Sequence, residues 1–327
     1  FSMEEVVVTA NKIDQPLSKV AGSVAVITNE QIEERGETEL YDVLRNEPGV
    51  SVTGGAGRPQ NITIRGMTGN RIMIVRDGIR SADGFGANDI NDAVGRDTFD
   101  LSNFESLQII KGASSSVHGS GAIGGVVILE SSQPGDFLKD KDFYTDVSGT
   151  YTDISNKYKG TSNLAFRSGD TESLFNVSYW QGQETRNFDE DLYNRDLDGY
   201  SGAYTINHFF NEEVMLKAKA ELYTQNQERL EGSPSIQPDG IWHIEDFAED
   251  ETTEEYSAYI GAEVTPINPT WFEELDTKVY WRHTEVVEDT NRLMRQVDHN
   301  GLITKRRELE HKTFIDETIG FRGDFTN

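Results

Sequence analysis

The chain has 327 residues, 57 of them acidic and 30 basic, for a net charge of −27. A surface this acidic repels a phosphate backbone and excludes nucleic acid as a partner, and the absence of cysteine excludes disulfide frameworks, thiolate nucleophiles and thiolate metal sites. No run of about 18 apolar residues occurs, which excludes a membrane-spanning helix but not a β-barrel, whose strands alternate lipid-facing and lumen-facing side chains and give a weak hydropathy signal. The length favours two structural units. Phe1-Ser2-Met3 shows no signal peptide, so the chain is read as mature.

Glu4 to Ala10, EEVVVTA, is an extended apolar run preceded by acids. A lone strand in a polar terminus needs a partner, either in its own sheet or at the sheet edge of another protein. From Val24 the pattern is mixed. Val24 to Ile27 reads as a strand, Thr28 or Asn29 caps a short helix, and Gly36 stands where a helix stops. Thr38 is the expected cap of a second helix with Leu40, Val43 and Leu44 on one face, ended by Pro48-Gly49. Asn61 to Arg65 and Arg71 to Val75 read as strands, with Asp77-Gly78 a hairpin turn that tolerates positive φ. Ser81 to Asp100 is aperiodic and rich in Gly, Asp and Asn, hence a long loop. Ser102 with Glu105 has the spacing of a capping box and predicts a short helix before a strand at Leu107 to Ile110.

Gln108 to Ser131 places two β-branched runs around a glycine-dense centre, and Gly112, Gly119, Gly121, Gly124 and Gly125 allow positive φ and close backbone approach. Gly119, Gly121 and Gly124 also satisfy the dinucleotide fingerprint G-x-G-x-x-G. That fingerprint works only where a helix follows to receive the pyrophosphate. Here VVILES follows, a strand, so the stretch is a packing turn and not a nucleotide site.

After Gln133-Pro134-Gly135 the composition changes: Tyr and Trp become frequent and polar and apolar residues alternate, as in Tyr144 to Ile154, Ser173 to Gln181, Met215 to Tyr223 and Lys278 to His283. Period two over such lengths predicts long antiparallel strands, about eight of them between 143 and 327. The connectors at 167–170, 211–213 and 266–270 are short. Those expected at 184–200, 226–253 and 290–312 are long and charged, and 155–157 is brief. Short turns at one end and long loops at the other are the pattern of an outer-membrane barrel. A barrel of about eight strands is filled by its own side chains, whereas one that holds a folded plug needs about 22. The chain is therefore read as an α+β unit (24–134), preceded by an extension (1–23) and followed by the first part (143–327) of a larger antiparallel transmembrane β-barrel.

These parts resemble TonB-dependent outer-membrane receptors. Glu4, Glu5, Val6, Val7, Val8, Thr9 and Ala10 look like the TonB box. Val24 to Ser131 resembles the plug, with Ile64-Arg65-Gly66, Asp77-Gly78 and the KG-x-x-S-x-x-x-GSGAIGGVV stretch containing Gly119, Gly121, Gly124 and Gly125 in family order. The resemblance implies active import across the outer membrane of a Gram-negative bacterium. A cargo held near nanomolar Kd with an on-rate of ~10⁶ M⁻¹s⁻¹ leaves at only ~10⁻³ s⁻¹, so release needs work from TonB and its inner-membrane energy complex. Val6 to Thr9 would add as a strand to TonB. Outer-membrane lipid and lipopolysaccharide are the implied surroundings.

The KGASSS…GSGAIGGVV stretch is most like the haem and haemoglobin branch, implying haem, alone or from a haemoprotein, as cargo, with no intrinsic cofactor. A ferric siderophore is the alternative within the same class, and a surface adhesin or signalling receptor is the alternative outside it. Haem iron takes an axial His, Tyr, Met or Cys, and the apical loop 81–100 has none, leaving Phe85 there as a contact residue. His243 beside Trp242, His299, His311 and Tyr193 fall in or near expected outer loops and are the candidate ligands or contacts. His118 lies inside the glycine motif, where packing is its expected role. Asn194, Asp196, Asp198 and Gly199 imitate the start of a calcium loop, but position twelve is Thr205 rather than Glu. No nucleophile, base and orienting residue assemble into an enzyme site.

Overall fold

The computed structural model describes residues 6–7, 15–16, 23–55, 58–81, 83–84, 96, 98–114, 119, 121–184, 195–231, 235–236, 242–267, 271–297 and 300–326. Strand β1 (Val6–Val7) pairs antiparallel with β2 (Gln15–Pro16). Glu4, Glu5, Val8, Thr9 and Ala10 lie outside the described residues.

Strand β3 (Ser23–Thr28) leads into α1 (Asn29–Arg35), whose capping box is complete: Gln31 N donates to Thr28 Oγ1, and Thr28 N to the Gln31 side chain, each at 3.4 Å. Gly36, at φ 64°, ends the helix. The second helix departs from expectation. In α2 (Leu40–Leu44) the N-cap is Glu39, not Thr38, and it makes no side-chain cap bond. Its carboxylate is taken by Gln60 and by Lys157 of the C-terminal sheet, while Thr38 Oγ1 is buried without a partner. Leu40, Val43 and Leu44 do share the buried face, and each contributes about 1.5–3 kcal/mol by leaving water.

Strands β4 (Val50–Gly55), β5 (Arg58–Ile64) and β6 (Met67–Thr68) form a small antiparallel sheet. Strand β4 has only Val50 and Val52 as apolar alternation before Gly54-Gly55, too little to predict it. A five-stranded sheet takes β7 (Ile72–Arg76), β8 (Ile79–Arg80), β9 (Phe104–Lys111) and β10 (Gly125–Ser131) in the order β3-β9-β10-β7-β8, with β10 and β7 parallel. The helix expected from Ser102 and Glu105 is a single 3₁₀ turn at Leu101–Asn103. Asp100 caps it, and Glu105 already lies in β9. Core residues Leu44, Ile64, Ile72, Leu107, Ile109, Val127 and Leu129 join the helices, the small sheet and one face of the large one. A short helix α3 (Pro134–Leu138) then follows where only a break was expected. Proline fits its first turn, and Asp136 accepts from Gln133 N at 2.6 Å.

The strand after the glycine motif is as expected, and the motif divides into two devices. Gly119 and Gly121 take φ 90° and 103°, whereas Gly124 and Gly125 serve close approach. A Cβ on Gly125 would stand 2.5 Å from the Ile110 carbonyl oxygen and 2.8 Å from Ile64 Cδ1.

The C-terminal part is one antiparallel sheet, the wall. It runs through β11 (Phe143–Thr152), β12 (Lys157–Ser168), β13 (Thr171–Gln183), β14 (Arg195–Phe209), β15 (Val214–Glu231), β17 (His243–Val264), β18 (Glu274–Val297) and β19 (Ile303–Thr326), with the short β16 (Ser235–Ile236) paired to β17. β11 and β19 are its two edges, so the sheet is open. The charged stretches expected to be loops are largely strand: 195–200, 226–231, 243–253, 290–297 and 303–312 continue the ladders. Backbone bonds and cross-strand ion pairs such as Glu245 with Arg295 and Lys305 carry the hairpins onward where apolar alternation has stopped.

Period two gives the wall two unlike faces. Val147, Tyr179, Tyr200, Ile260, Val279, Ile319, Phe321 and Phe325 stand exposed on the outward face. The inward face is polar and packs against the N-terminal unit.

Candidate functional site

Where the N-terminal unit meets the wall, the β7–β8 turn is the centre. Asp77 and Gly78 adopt φ 48° and 78°, the pair of positive angles that a tight hairpin matching strand twist requires. The turn buries the Asp77 carboxylate, which accepts from Ser131 N and Oγ at 2.8 Å each and from Lys219 Nζ of β15 at 3.2 Å. Lys278 Nζ of β18 donates to the Asp77 carbonyl at 3.1 Å. Burial opposes ionisation of this carboxyl, but the two ammonium groups and the Ser131 donors outweigh it and hold its pKa below the ordinary range. Next to it, Arg76 pairs with Glu255 of β17, which also accepts from Thr98 and, at 3.0 Å, from Thr284. A cavity of about 30 Å³ lined by Arg76, Asp77, Lys219, Glu221, Tyr259 and Arg282 lies within this cluster, with room for a water molecule.

A second joint forms at Asp100. It accepts from Ser102 N at 3.0 Å, from Ser201 Oγ of β14 at 2.8 Å, and from Lys159 of β12. Burial again raises its pKa and the Lys159 ammonium more than reverses that, so the carboxyl sits well below its usual range. Lys157 reaches Glu39, Ser102 and Ser178 hydroxyls meet at 3.0 Å, and Asn207 Nδ2 donates to Gln133 Oε1 at 3.2 Å. The interface is thus mainly hydrogen-bonded and ionic, with Leu138 of α3 joining Ala165 and Leu174 of the wall in a small apolar cluster. Breaking one partner of a buried pair costs about 3–5 kcal/mol, and a neutral hydrogen bond nets about 0.5–1.5 kcal/mol. Such an interface holds position yet can be re-solvated when it opens.

Residues 16–126 match the TonB-dependent Receptor Plug Domain. The chain carries the plug domain of the TonB-dependent receptor family. A 137-residue stretch is 38% identical to the vitamin B12 transporter BtuB of Vibrio vulnificus, covering 40% of this chain and 21% of that protein. The whole fold is similar to the siderophore receptor PiuA from Acinetobacter baumannii, with TM-score 0.57, 14% identity, and coverage of 95% of this chain and 56% of that one. It is similar likewise to the ferripyoverdine receptor of the outer membrane of Pseudomonas aeruginosa, with TM-score 0.56, 15% identity, and coverage of 98% and 56%. The chain thus spans about half the length of the solved receptors it matches. These relatives are transporters and receptors, not enzymes, and the chain is an outer-membrane protein that crosses with strands. No described helix is long and apolar enough to span a membrane.

The plug motif residues are brought together: Asp77 and Gly78 abut the wall, while Gly124 and Gly125 seat β10 against Ile64 and Ile72. Arg65 is exposed, at φ 50°, and Gly66 follows at φ 81°. The cargo candidates are not brought together. His311 lies on the outward face of β19, bonded to Asp289 at 2.7 Å, and His243 is opposite Arg295 on the outward register of β17. A bulge between Ile244 and Asp246 puts Trp242 instead with Ile244, Phe247 and Met294 on the lumen side. Phe85, Tyr193, His118 and His299 lie outside the described residues. Asp196, Asp198, Gly199 and Thr205 are in β14, an extended strand that cannot wrap a cation as a loop does, and no metal-binding group of acids and histidines occurs among the described residues. Sequence reading missed Lys159, Lys219, Glu255 and Lys278, although charges on alternate positions, as in Lys217, Lys219 and Glu221, are the trace of a strand face turned to a polar partner.

Proposed function

We propose that the complete receptor imports a bulky metal chelate, using TonB to displace the plug. What supports this is a folded plug held against the inward face of a membrane wall by buried polar and ionic contacts rather than by an apolar core. Such a plug blocks free diffusion and yields to work. β1 is the strand offered to TonB. It is two residues long and paired only with β2 among the described residues, so exchange for a strand of TonB costs few bonds.

The haem reading takes an axial His or Tyr, with His243, His299, His311 and Tyr193 as candidates, of which His299 and Tyr193 lie outside the described residues. All four described histidines, His208, His243, His283 and His311, lie on outward registers. That favours a chelate gripped by its periphery, a ferric siderophore or a corrinoid of the kind the Vibrio relative is named for, over haem. Titration of the complete receptor with haem, ferric siderophores and cobalamin separates these cargoes. The Val7→Pro substitution removes a ladder N–H and fixes φ. Uptake should then be lost while surface binding persists, and equal loss of both would contradict the role of β1.

A further inference from the structure

We propose that the plug parts from the wall along β13 and β14, and that this line is the passage through which cargo crosses; the passage rests on the transport reading above. Among the described residues, plug-to-wall ion pairs fall on either side of it: Lys157 and Lys159 of β12 hold Glu39 and Asp100, and Lys219 of β15 and Glu255 of β17 hold Asp77 and Arg76. Lys278 and Arg282 of β18 add bonds to the Asp77 and Arg80 carbonyls. β13 and β14 meet the plug through hydroxyl and amide contacts from Ser178, Ser201 and Asn207, and through Leu174, which shares a small buried apolar cluster with Leu138 of α3.

Along that line polar atoms on both sides are buried without partners: Asn103 Nδ2 and Oδ1 and Ser132 Oγ of the plug, Thr205 Oγ1 and Asn207 Oδ1 of the wall. All four residues are at most 4% exposed. Their places correspond. Thr205 lies between Ser201, which binds Asp100, and Asn207, which binds Gln133. Asn103 and Ser132 lie between Asp100 and Gln133 in the plug, joined by a bond from Ser132 N to the Asn103 carbonyl at 3.1 Å. Donors and acceptors facing one another across a closed seam are satisfied by interposed water. Side chains there are small, so parting the seam releases few direct bonds, and entering water takes over the freed groups. Parting the flanking joints strands buried ammonium and guanidinium groups. A pull on the plug is relieved first at the seam.

The chain has no cysteine, so introduced thiols report locally. Thr205→Cys and Thr284→Cys place one thiol in the seam and one in the Arg76–Glu255 joint, both at fully buried threonines. With the full-length receptor, rising urea and a maleimide, without cargo or TonB, the Thr205→Cys variant should react at lower urea than the Thr284→Cys variant. During uptake its labelling should rise by about tenfold while the other stays level. Reaction at Thr284→Cys first, or at both together, overturns the proposal. The Ser102→Cys/Ser178→Cys pair replaces hydroxyls that are 3.0 Å apart and so brings two thiols together across the seam for oxidation. Oxidised, it should bind cargo normally but import about tenfold less until reduced, since the bridge closes the seam covalently. Normal import by the oxidised form overturns the passage. A wild-type receptor that imports none of the chelates would overturn the transport reading, and the urea order would still decide where the plug parts.

Discussion

At the scale of single residues, Asp77 shows how a turn signal conceals an interface. Its neighbour Gly78 makes the hairpin legible, since Asp-Gly is one of the favoured pairs for placing two positive φ angles in succession. The carboxylate's partners, Lys219 and Lys278, lie far along the chain, and no local pattern points to them. Asp77→Asn keeps the shape and removes the charge beside Lys219, which retains Glu221 at 2.8 Å, while Lys278 keeps its bond to the residue-77 carbonyl. The expected loss is about 1.5–3 kcal/mol of plug-to-wall stability, that of a hydrogen bond to a charged group, read as a lower urea midpoint. The wild-type folded carboxyl titrates below its unfolded value, so its stabilisation is complete at neutral pH and fades only as pH falls below the ordinary carboxylate range. In the variant that acid-side loss should shrink.

Elements were legible where local signals agreed and illegible where a distant partner overrode them. α1 has a capping box, an αL glycine and a buried Ile32, and it forms as read. α2 starts one residue later than expected, and Glu39 at its N-cap turns its carboxylate to Gln60 and Lys157 instead of the helix end. Charged hairpin ends were taken for loops because period-two reading needs apolar residues, whereas the ladders of β18 and β19 continue through Glu, Lys and Arg. Strand β9 carries its own consequence at Glu105, an exposed position where partial desolvation, together with the carboxylates of Asp136 and Glu33, raises the pKa to about 7. A folded pKa above the unfolded one means the native state holds the proton more tightly. This residue's contribution therefore falls as pH rises from about 4.5 to about 7. Glu105→Gln should flatten that part of the melting-temperature profile, in part only, since Asp136 and Glu33 are raised as well. An unchanged slope would show that the carboxyl is fully solvated.

For the whole molecule, the two faces of one sheet assign its surroundings. An inward face of Lys, Glu, Ser, Thr and Asn meets the plug, and an outward face of aromatic and branched residues meets lipid, so burial in water-excluded surroundings is divided between two different solvents. The family could be read from three ordered motifs, but the cargo could not, because specificity depends on which residues share the lumen face, and a single bulge reverses that for His243 and Trp242. The strands are also much longer than a bilayer needs: 24 residues of β19 at about 3.4 Å each far exceed an apolar band about 25 Å tall. Exposure alone therefore does not mean lipid. Val279 faces Phe321 across β18 and β19, 52% and 70% exposed, within the band. Leu309, 73% exposed, lies twelve residues before Phe321 on β19, about 40 Å along the strand and beyond that band. Val279→Arg should therefore cost about 2–4 kcal/mol of folding stability in bilayers, and Leu309→Arg at most about 1 kcal/mol. Unfolding titrations of the full-length receptor in lipid vesicles measure both, and equal costs would mean that the membrane lies elsewhere on the wall.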